Sequence, residues 1–367
     1  MSLAADVTEI LDHPTDRVSG ADEYVQAAMQ WHFGQETGSP YWLEKAKTLE
    51  FDPRTDVRGV ADLKLFPNVV NELRDVPVEQ LVPRGYGEGV KPFGVYESGG
   101  TTGAPKRVVC MADWMDRWVA FWTAKMAERG CPADANILAV MPTGPHIYGT
   151  VMQLWAQRNR GTLFTVDMDP RWVKKCIAQG RADEAGRYAE HLIGQAEFVL
   201  RTQDVGVLVA TPPLLERTSR NDELVELINE KVRFIQWGGA HMDADTRHLF
   251  RTEIFPGAKL QGSYGSTMIL CGTIERMGLG EDDCVFDTFA PHVSFSVVDP
   301  ATGEPVPYGQ RGQVVMNHVS KGMLLPNNLE RDMATRLEAP EGHPGDSVAA
   351  IGPVETFEDE TVIEGVY

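Results

Sequence analysis

The densest run of chemistry-bearing residues is Glu97-Ser-Gly-Gly-Thr-Thr-Gly-Ala-Pro-Lys106. Three glycines, Gly99, Gly100 and Gly103, remove Cβ atoms, so the backbone can curl and aim several N–H groups at one anion. Ser98, Thr101 and Thr102 add hydroxyl donors and Lys106 adds a point charge. Such a segment is a cradle for phosphate. It departs from the G-x-x-x-x-G-K-[ST] pattern, because Pro105 precedes the lysine and no hydroxyl residue follows it. A plain Gly/Thr hairpin turn is the competing reading, and it does not account for the terminal Pro-Lys.

Further along, Pro145-His-Ile-Tyr-Gly149 offers an imidazole and a phenol, and Trp237-Gly-Gly-Ala240 ends an apolar run. Ser263-Tyr-Gly-Ser-Thr267 presents hydroxyls around an aromatic ring, and Asp332 is a lone carboxylate in Leu329-Glu-Arg-Asp332. Taken singly these are a loop with a satisfied histidine, a turn, a loop aromatic and a surface acid. A carboxylate can accept both hydroxyl protons of a ribose, a phenol face can stack on a purine, and a threonine can donate to a phosphate oxygen.

The elements that must position these groups alternate in type. Short β-branched runs at 93–97, 107–111, 137–141, 163–166, 205–209, 232–237, 293–298 and 312–316 read as strands. Helical stretches fall at 22–33, 184–192, 222–230 and 243–250. The clearest helix is 113–129, capped by Asp113 and followed by Gly130, with Trp114, Trp118, Trp122 and Met126 spaced four apart as a core stripe. Strand–helix alternation predicts an α/β fold with packed, largely buried sheets flanked by helices. The expected divisions are a helical and loop portion at 1–90, a ligand-binding core at 91–290, and a smaller β-rich subdomain at 291–367. After Arg336 there is no Lys or Arg and there are eight acidic residues, which reads as a solvated, loosely held tail or an acidic docking segment.

The chain has 367 residues, 34 basic and 53 acidic side chains, and a formal charge of −19. That surface disfavours nucleic acid and anionic membranes, so an anionic ligand needs a local concentration of donors. The five cysteines form no C-x-x-C pair and read as buried free thiols in a reducing compartment. The acidic N-terminus does not read as a secretory signal, and a cytoplasmic location is expected. A homodimer is the base-rate expectation for assembly.

The ordered motifs together resemble the adenylate-forming superfamily of acyl-CoA synthetases, peptide-synthetase adenylation domains and luciferases, over about residues 90–335. Within it the compact N-terminal region looks nearest to the phenylacetate-CoA ligase branch, which includes adenylation proteins of phenazine antibiotic tailoring. The resemblance implies the large domain of that fold and ATP-dependent conversion of an aromatic carboxylate, phenazine acids included, to an acyl-adenylate and pyrophosphate. It makes Lys106, Thr267 and His146 the catalytic candidates. Ser98, Gly99, Gly100, Thr101, Thr102, Gly103, Lys106, Gly238, Gly239, Ala240, Ser263, Tyr264, Gly265, Ser266, Thr267 and Asp332 become the ATP-binding set. His146, Tyr148, Gly149, Trp237 and Gly262 would line the acyl pocket.

Two departures stand out. Met268 occupies the position after Tyr-Gly-x-Thr where the family carries a magnesium-binding glutamate, and a thioether does not ligate a hard cation. Glu275 or Glu97 could substitute, or Mg²⁺ could arrive with ATP. The chain also ends 35 residues after Asp332, short of the small C-terminal domain that complete members carry. The competing functional reading is a non-catalytic module that holds a nucleotide or carboxylate for a partner enzyme such as a reductase.

Overall fold

In the computed structural model of the chain, residues 3–14, 20–98, 104–280, 283–354, 356–357 and 360–361 are described. The N-terminal part carries α1 (Leu3–Asp12), α2 (Ala21–His32), α3 (Pro40–Lys45) and α4 (Pro53–Asp56), joined by 3₁₀ turns. Strands β1 (Gly94–Glu97) and β2 (Arg107–Cys110) pair antiparallel with Glu97 opposite Arg107, so Ser98 and Lys106 face each other across the hairpin's mouth. Gly99, Gly100, Thr101, Thr102 and Gly103 lie outside the described residues.

Helix α5 (Ala112–Glu128) follows, with Trp114, Trp118, Trp122 and Met126 all buried. It starts one residue before the sequence expectation, so Met111 holds the cap position. Asp113 is therefore not the cap. It lies in the first turn, where its charge favours the helix dipole, and it accepts a hydrogen bond from Tyr86 Oη at 2.7 Å.

The central sheet is built from β3 (Ile137–Met141), β4 (Leu163–Asp167), β5 (Val207–Ala210), β6 (Phe234–Trp237), β7 (Lys259–Ser266) and β8 (Cys271–Ile274). Its spatial order is β4-β3-β5-β6-β7-β8, parallel from β4 to β7 with β8 antiparallel at the edge. β3, β5 and β6 are buried at every position, as expected for strands covered on both faces. Helices α6 (Ile147–Arg158), α7 (Pro170–Ala178), α8 (Ala182–Thr202), α9 (Pro212–Thr218), α10 (Asp222–Lys231) and α11 (Ala244–Leu249) connect them. α8 is 21 residues long rather than nine, because Leu192, Ile193, Ala196 and Leu200 continue its apolar face. After β3 the chain moves to β4, then returns past β3 to β5. The loops leaving β3 and β5 thus diverge at a switch point, where α/β sheets bind ligands beyond the carboxyl ends of their strands.

The second sheet is antiparallel, in the order β10-β11-β12-β13-β9, from β9 (Val285–Phe286), β10 (Val293–Val298), β11 (Arg311–Val319), β12 (Leu324–Glu338) and β13 (Asp346–Pro353). The expectation of a loose tail after Arg336 is corrected here for residues 337–353. β12 runs on to Glu338, and β13 pairs with both β12 and β9. Asp346 is buried because Arg336 Nε donates to its Oδ1 at 2.8 Å. Arg336, near the end of β12, thus anchors the strand that follows. The remaining acidic terminal residues lie largely outside the described residues. All five cysteines are free, three of them buried. Among the described residues no helix is long and apolar enough to cross a membrane.

Candidate active site at the carboxyl ends of the parallel strands

The sequence-derived candidates that are described come from separate strand ends. His146 follows β3, Trp237, Gly238, Gly239 and Ala240 follow or end β6, and Ser263–Thr267 lie at the end of β7. Ser98 and Lys106 come from the β1–β2 hairpin, and Asp332 from the second sheet.

The hairpin stem is closed by reciprocal hydrogen bonds. Ser98 N donates to the Lys106 carbonyl at 3.0 Å, and Lys106 N donates to Ser98 Oγ at 3.1 Å. The Ser98 hydroxyl oxygen is thus already an acceptor within the stem. Arg74 Nε reaches the Ala104 carbonyl at 3.2 Å on the far side. Glu97 sits at the base between two arginines, taking Arg107 Nε on Oε1 at 2.9 Å and Arg171 Nη2 on Oε2 at 2.8 Å. Its partial burial would raise the carboxyl's pKa, but the hydrogen bonds from Arg171 and Arg107 outweigh that and hold it below the ordinary carboxylate range. Lys106, Arg107 and Arg171 gather three cationic side chains here, with Glu97, Asp167 and Asp169 among their acidic neighbours.

Tyr264 and Asp332 join the two sheets. Tyr264 Oη donates to Asp332 Oδ2 at 2.9 Å, and its ring packs against Phe286 and Phe295 at 5.7 Å each. Burial first, and then the Asp332 charge, push the phenol far above its ordinary pKa, so it stays a donor.

The turn after β7 is held from behind. Trp114 Nε1 donates to the Leu270 carbonyl at 2.8 Å and Trp118 Nε1 to the Gly272 carbonyl at 3.1 Å. His318 Nδ1 bonds the Ile269 carbonyl at 2.5 Å and its Nε2 meets Ser320 Oγ at 2.7 Å. Nδ1 must carry the proton, since a carbonyl only accepts. The helix stripe and a buried histidine therefore fix the 3₁₀ turn Thr267–Ile269 that carries Thr267. Ser266 Oγ accepts from Met268 N at 3.2 Å at the start of that turn. Gly265 lies opposite Gly272, so close to Cys271 O that a side chain would collide.

On the acyl side the candidates form a buried network rather than an open wall. Tyr148 Oη meets Gln236 Oε1 at 2.7 Å and Ser263 Oγ at 2.9 Å, and Gln236 Nε2 donates to Ser263 Oγ and the Trp237 carbonyl, both at 2.7 Å. Ser263 is thereby committed inward, and Gly238 is pressed so tightly on it that only glycine fits. Gly239 adopts φ +81°, the left-handed region that glycine populates freely. A Cβ on Gly262 would meet Trp237 Cζ2 at 2.6 Å, so the indole lies over that glycine. Gly149 is a packing position, 2.8 Å from Thr143 Cα by the same measure. His146 is half-buried, and burial followed by the Arg171 charge holds its imidazole below the ordinary range, neutral near pH 7.

Among the described residues, the positions considered for magnesium are engaged elsewhere. Met268 is 5% exposed within the core. Both Glu97 oxygens are paired with arginines. Glu275 takes Arg251 on Oε1 at 2.7 Å, and Gly262 N on Oε2 at 2.9 Å. Among the described residues no three His, Cys, Asp or Glu side chains cluster as metal ligands.

Arg171 and Gln236 were missed from sequence. Arg171 sits one residue after Asp169-Pro170, a readable helix start whose Asp169 Oδ1 accepts from Arg171 N at 2.9 Å. Its hydrogen-bond partners Glu97 and Ser98 lie more than seventy residues away, beyond any local pattern.

No family model matches the chain. Over 110 residues it is 30% identical to a 4-coumarate–CoA ligase-like protein of Oryza sativa subsp. japonica, covering 29% of this chain and 18% of that one. Over 135 residues it is 25% identical to 4-coumarate–CoA ligase 1 of Glycine max, covering 34% and 45% respectively. The matched stretches thus span less than half of these relatives. A crystal structure of 2-hydroxyisobutyryl-CoA ligase in complex with 2-HIB-AMP and CoA superimposes with TM-score 0.61 at 18% identity, covering 96% of this chain and 69% of that one. Its postadenylation state with R3-HIB-AMP gives TM-score 0.60 at 15% identity, covering 97% and 72%. The chain has the adenylate-forming fold of the acyl-CoA ligases.

Proposed function

We propose that the chain activates a carboxylic acid with ATP, forming an acyl-adenylate and releasing pyrophosphate. The observation that supports the reading is the Tyr264–Asp332 hydrogen bond, in which residues of two separately recognised nucleotide motifs touch. In this reading a carboxylate oxygen attacks the α-phosphorus, and the bond from that phosphorus to the bridging oxygen of the β-phosphate breaks. Pyrophosphate leaves with the electron pair. Such chemistry is mostly positioning and charge stabilisation.

Lys106 and the hydroxyl-rich run at 98–102 hold the leaving phosphates, Thr267 on its clamped turn faces the α-phosphate, and Asp332 holds the ribose. Tyr264 and residues 238–240 seat the base. Magnesium enters with the nucleotide. The aromatic side chains Tyr148, Trp237 and His146 at this end of the sheet favour an aromatic acid as substrate, with phenazine acids in the test panel, and a place in secondary-metabolite biosynthesis.

Calorimetric titration with ATP tests the nucleotide half of the reading. Wild type binds saturably, and Lys106→Ala and Asp332→Ala each weaken binding. Equal affinities in all three proteins overturn it. A second reading, a module that holds its ligand for a partner enzyme, is favoured by one feature, the buried Met268 thioether in place of a carboxylate.

A further inference from the structure

Arg171 belongs to none of the recognised motifs, yet it occupies the junction between the phosphate-loop stem and the His146 element. It projects from the first turn of α7, the helix entered from the exposed edge strand β4. A single nitrogen, Nη2, donates to Glu97 Oε2 at 2.8 Å and to the Ser98 carbonyl at 3.0 Å. Ser98 is in turn locked to Lys106 in both directions, N to O at 3.0 Å and N to Oγ at 3.1 Å. A chain of hydrogen bonds therefore runs from α7 through Ser98 to the backbone of Lys106.

Glu97 is what keeps the guanidinium in place. It is only 18% exposed and is shared with Arg107, whose Nε holds the other carboxylate oxygen. A charge-assisted pair of this kind is stronger and more directional than a neutral one. The stem is a short two-stranded hairpin of four residue pairs, rooted in the core by Tyr96, Val108 and Cys110 and tied nearer its tip by Glu97 N to the Pro145 carbonyl at 2.9 Å and by Arg74 to the Ala104 carbonyl, so the tie from Arg171 adds to these at the mouth. An external strut at its mouth is thus what the geometry supplies.

We propose that Arg171 is a positioning residue for nucleotide phosphate binding: through Glu97 and the Ser98 carbonyl it holds the hairpin stem that presents Lys106. This rests on the nucleotide reading above. It does not require Arg171 to touch the nucleotide, and it makes the contribution specific to ligands whose β- and γ-phosphates reach Lys106.

The test uses the full chain and the variants Arg171→Met, which keeps bulk without charge, and Arg171→Lys. Both tie bonds come from one nitrogen, so a lysine ammonium can restore them. Two readouts are taken: amide hydrogen exchange in the ligand-free protein, and calorimetric affinities for ATP and for AMP.

In Arg171→Met the Ser98 and Lys106 amides lose protection, while those in β3 and β5 keep theirs. ATP binding weakens by about tenfold or more and AMP binding changes by less than about twofold, as expected when a strut and not a ligand contact is lost. Arg171→Lys recovers most of both effects. Weakened ATP binding with unchanged Ser98 and Lys106 protection would mean direct contact with the ligand, and would overturn the proposal. Equal losses for ATP and AMP would also overturn it, since they report general disruption. Wild-type protein that binds no ATP, with the exchange effect intact, would remove the nucleotide reading and the role given to the strut together.

Discussion

Tyr264 and Asp332, 68 residues apart, meet through a 2.9 Å hydrogen bond that joins the end of the parallel sheet to the long strand of the antiparallel one. The carboxylate that would hold a ribose is thus oriented by the aromatic residue that would border the base. Because Tyr264 is kept protonated by burial and by the Asp332 charge, the bond is a fixed donor–acceptor relation over the whole physiological pH range.

Tyr264→Phe removes one hydrogen-bond donor from the Asp332 carboxylate. A hydrogen bond to a charged group is worth about 1.5–3 kcal/mol, so urea unfolding should show a loss of that order. ATP affinity should fall with it, while the apparent affinity for the acid stays near wild type. An unchanged unfolding midpoint and unchanged ATP affinity would contradict the role assigned to the pair.

Gly262→Ala places a methyl group where the Trp237 indole lies, 2.6 Å from Cζ2. The ring must shift, and overpacking of this kind costs about 1–3 kcal/mol. The expected outcome is reduced stability by chemical denaturation together with a change in the ratio of activities on small and large acids. Both follow from one displaced indole, so stability loss with an unaltered substrate ratio would place the acyl group elsewhere.

Three buried histidines give the chain a defined acid sensitivity. Burial lowers His32 to about 4 and His318 to about 3, and burial followed by the Arg117 charge puts His292 well below its ordinary value. The unfolded chain takes up these protons near 6.5 and the folded chain does not, so stability falls as pH drops below 6.5. The loss continues until the folded-state values are reached, with each histidine contributing about 1.4 kcal/mol per pH unit inside that window. Unfolding free energies measured at pH 7, 6 and 5 should show the decline, and His318→Gln should reduce the slope by about one proton. A flat profile between pH 6.5 and 5 would contradict it.

Much of this architecture was readable from local pattern, and the misses share a cause. The run Ile-Leu-Ala-Val-Met of β3 and the tryptophan stripe of α5 carry their burial in their composition, and both fold as expected. β13 carries no such signal. Asp346, Ala349, Ala350 and Gly352 look like tail residues until Arg336 neutralises Asp346 and β12 supplies the ladder.

Around the candidate site, motifs near in sequence to a glycine-rich turn were visible, and residues acting across the fold were not. Tyr264 and Asp332 were each singled out, but nothing local predicts that they touch. Their place in a motif points Ser263 and Gly149 to ligand contact, whereas in the fold they sit against Gln236 and Thr143. Arg171 needs the β4–α7 turn to be folded against the hairpin before its purpose can be seen.

The most direct test of the central claim is ATP–pyrophosphate exchange by the purified chain across a panel of aliphatic and aromatic carboxylates, phenazine acids included, with Mg²⁺ present. The account predicts exchange that depends on a particular acid and falls by about 10²–10³ in Lys106→Ala, the cost of one preorganised charge donor. Saturable ATP binding with no exchange for any acid would contradict it and leave the chain as a module that holds its ligand for another enzyme.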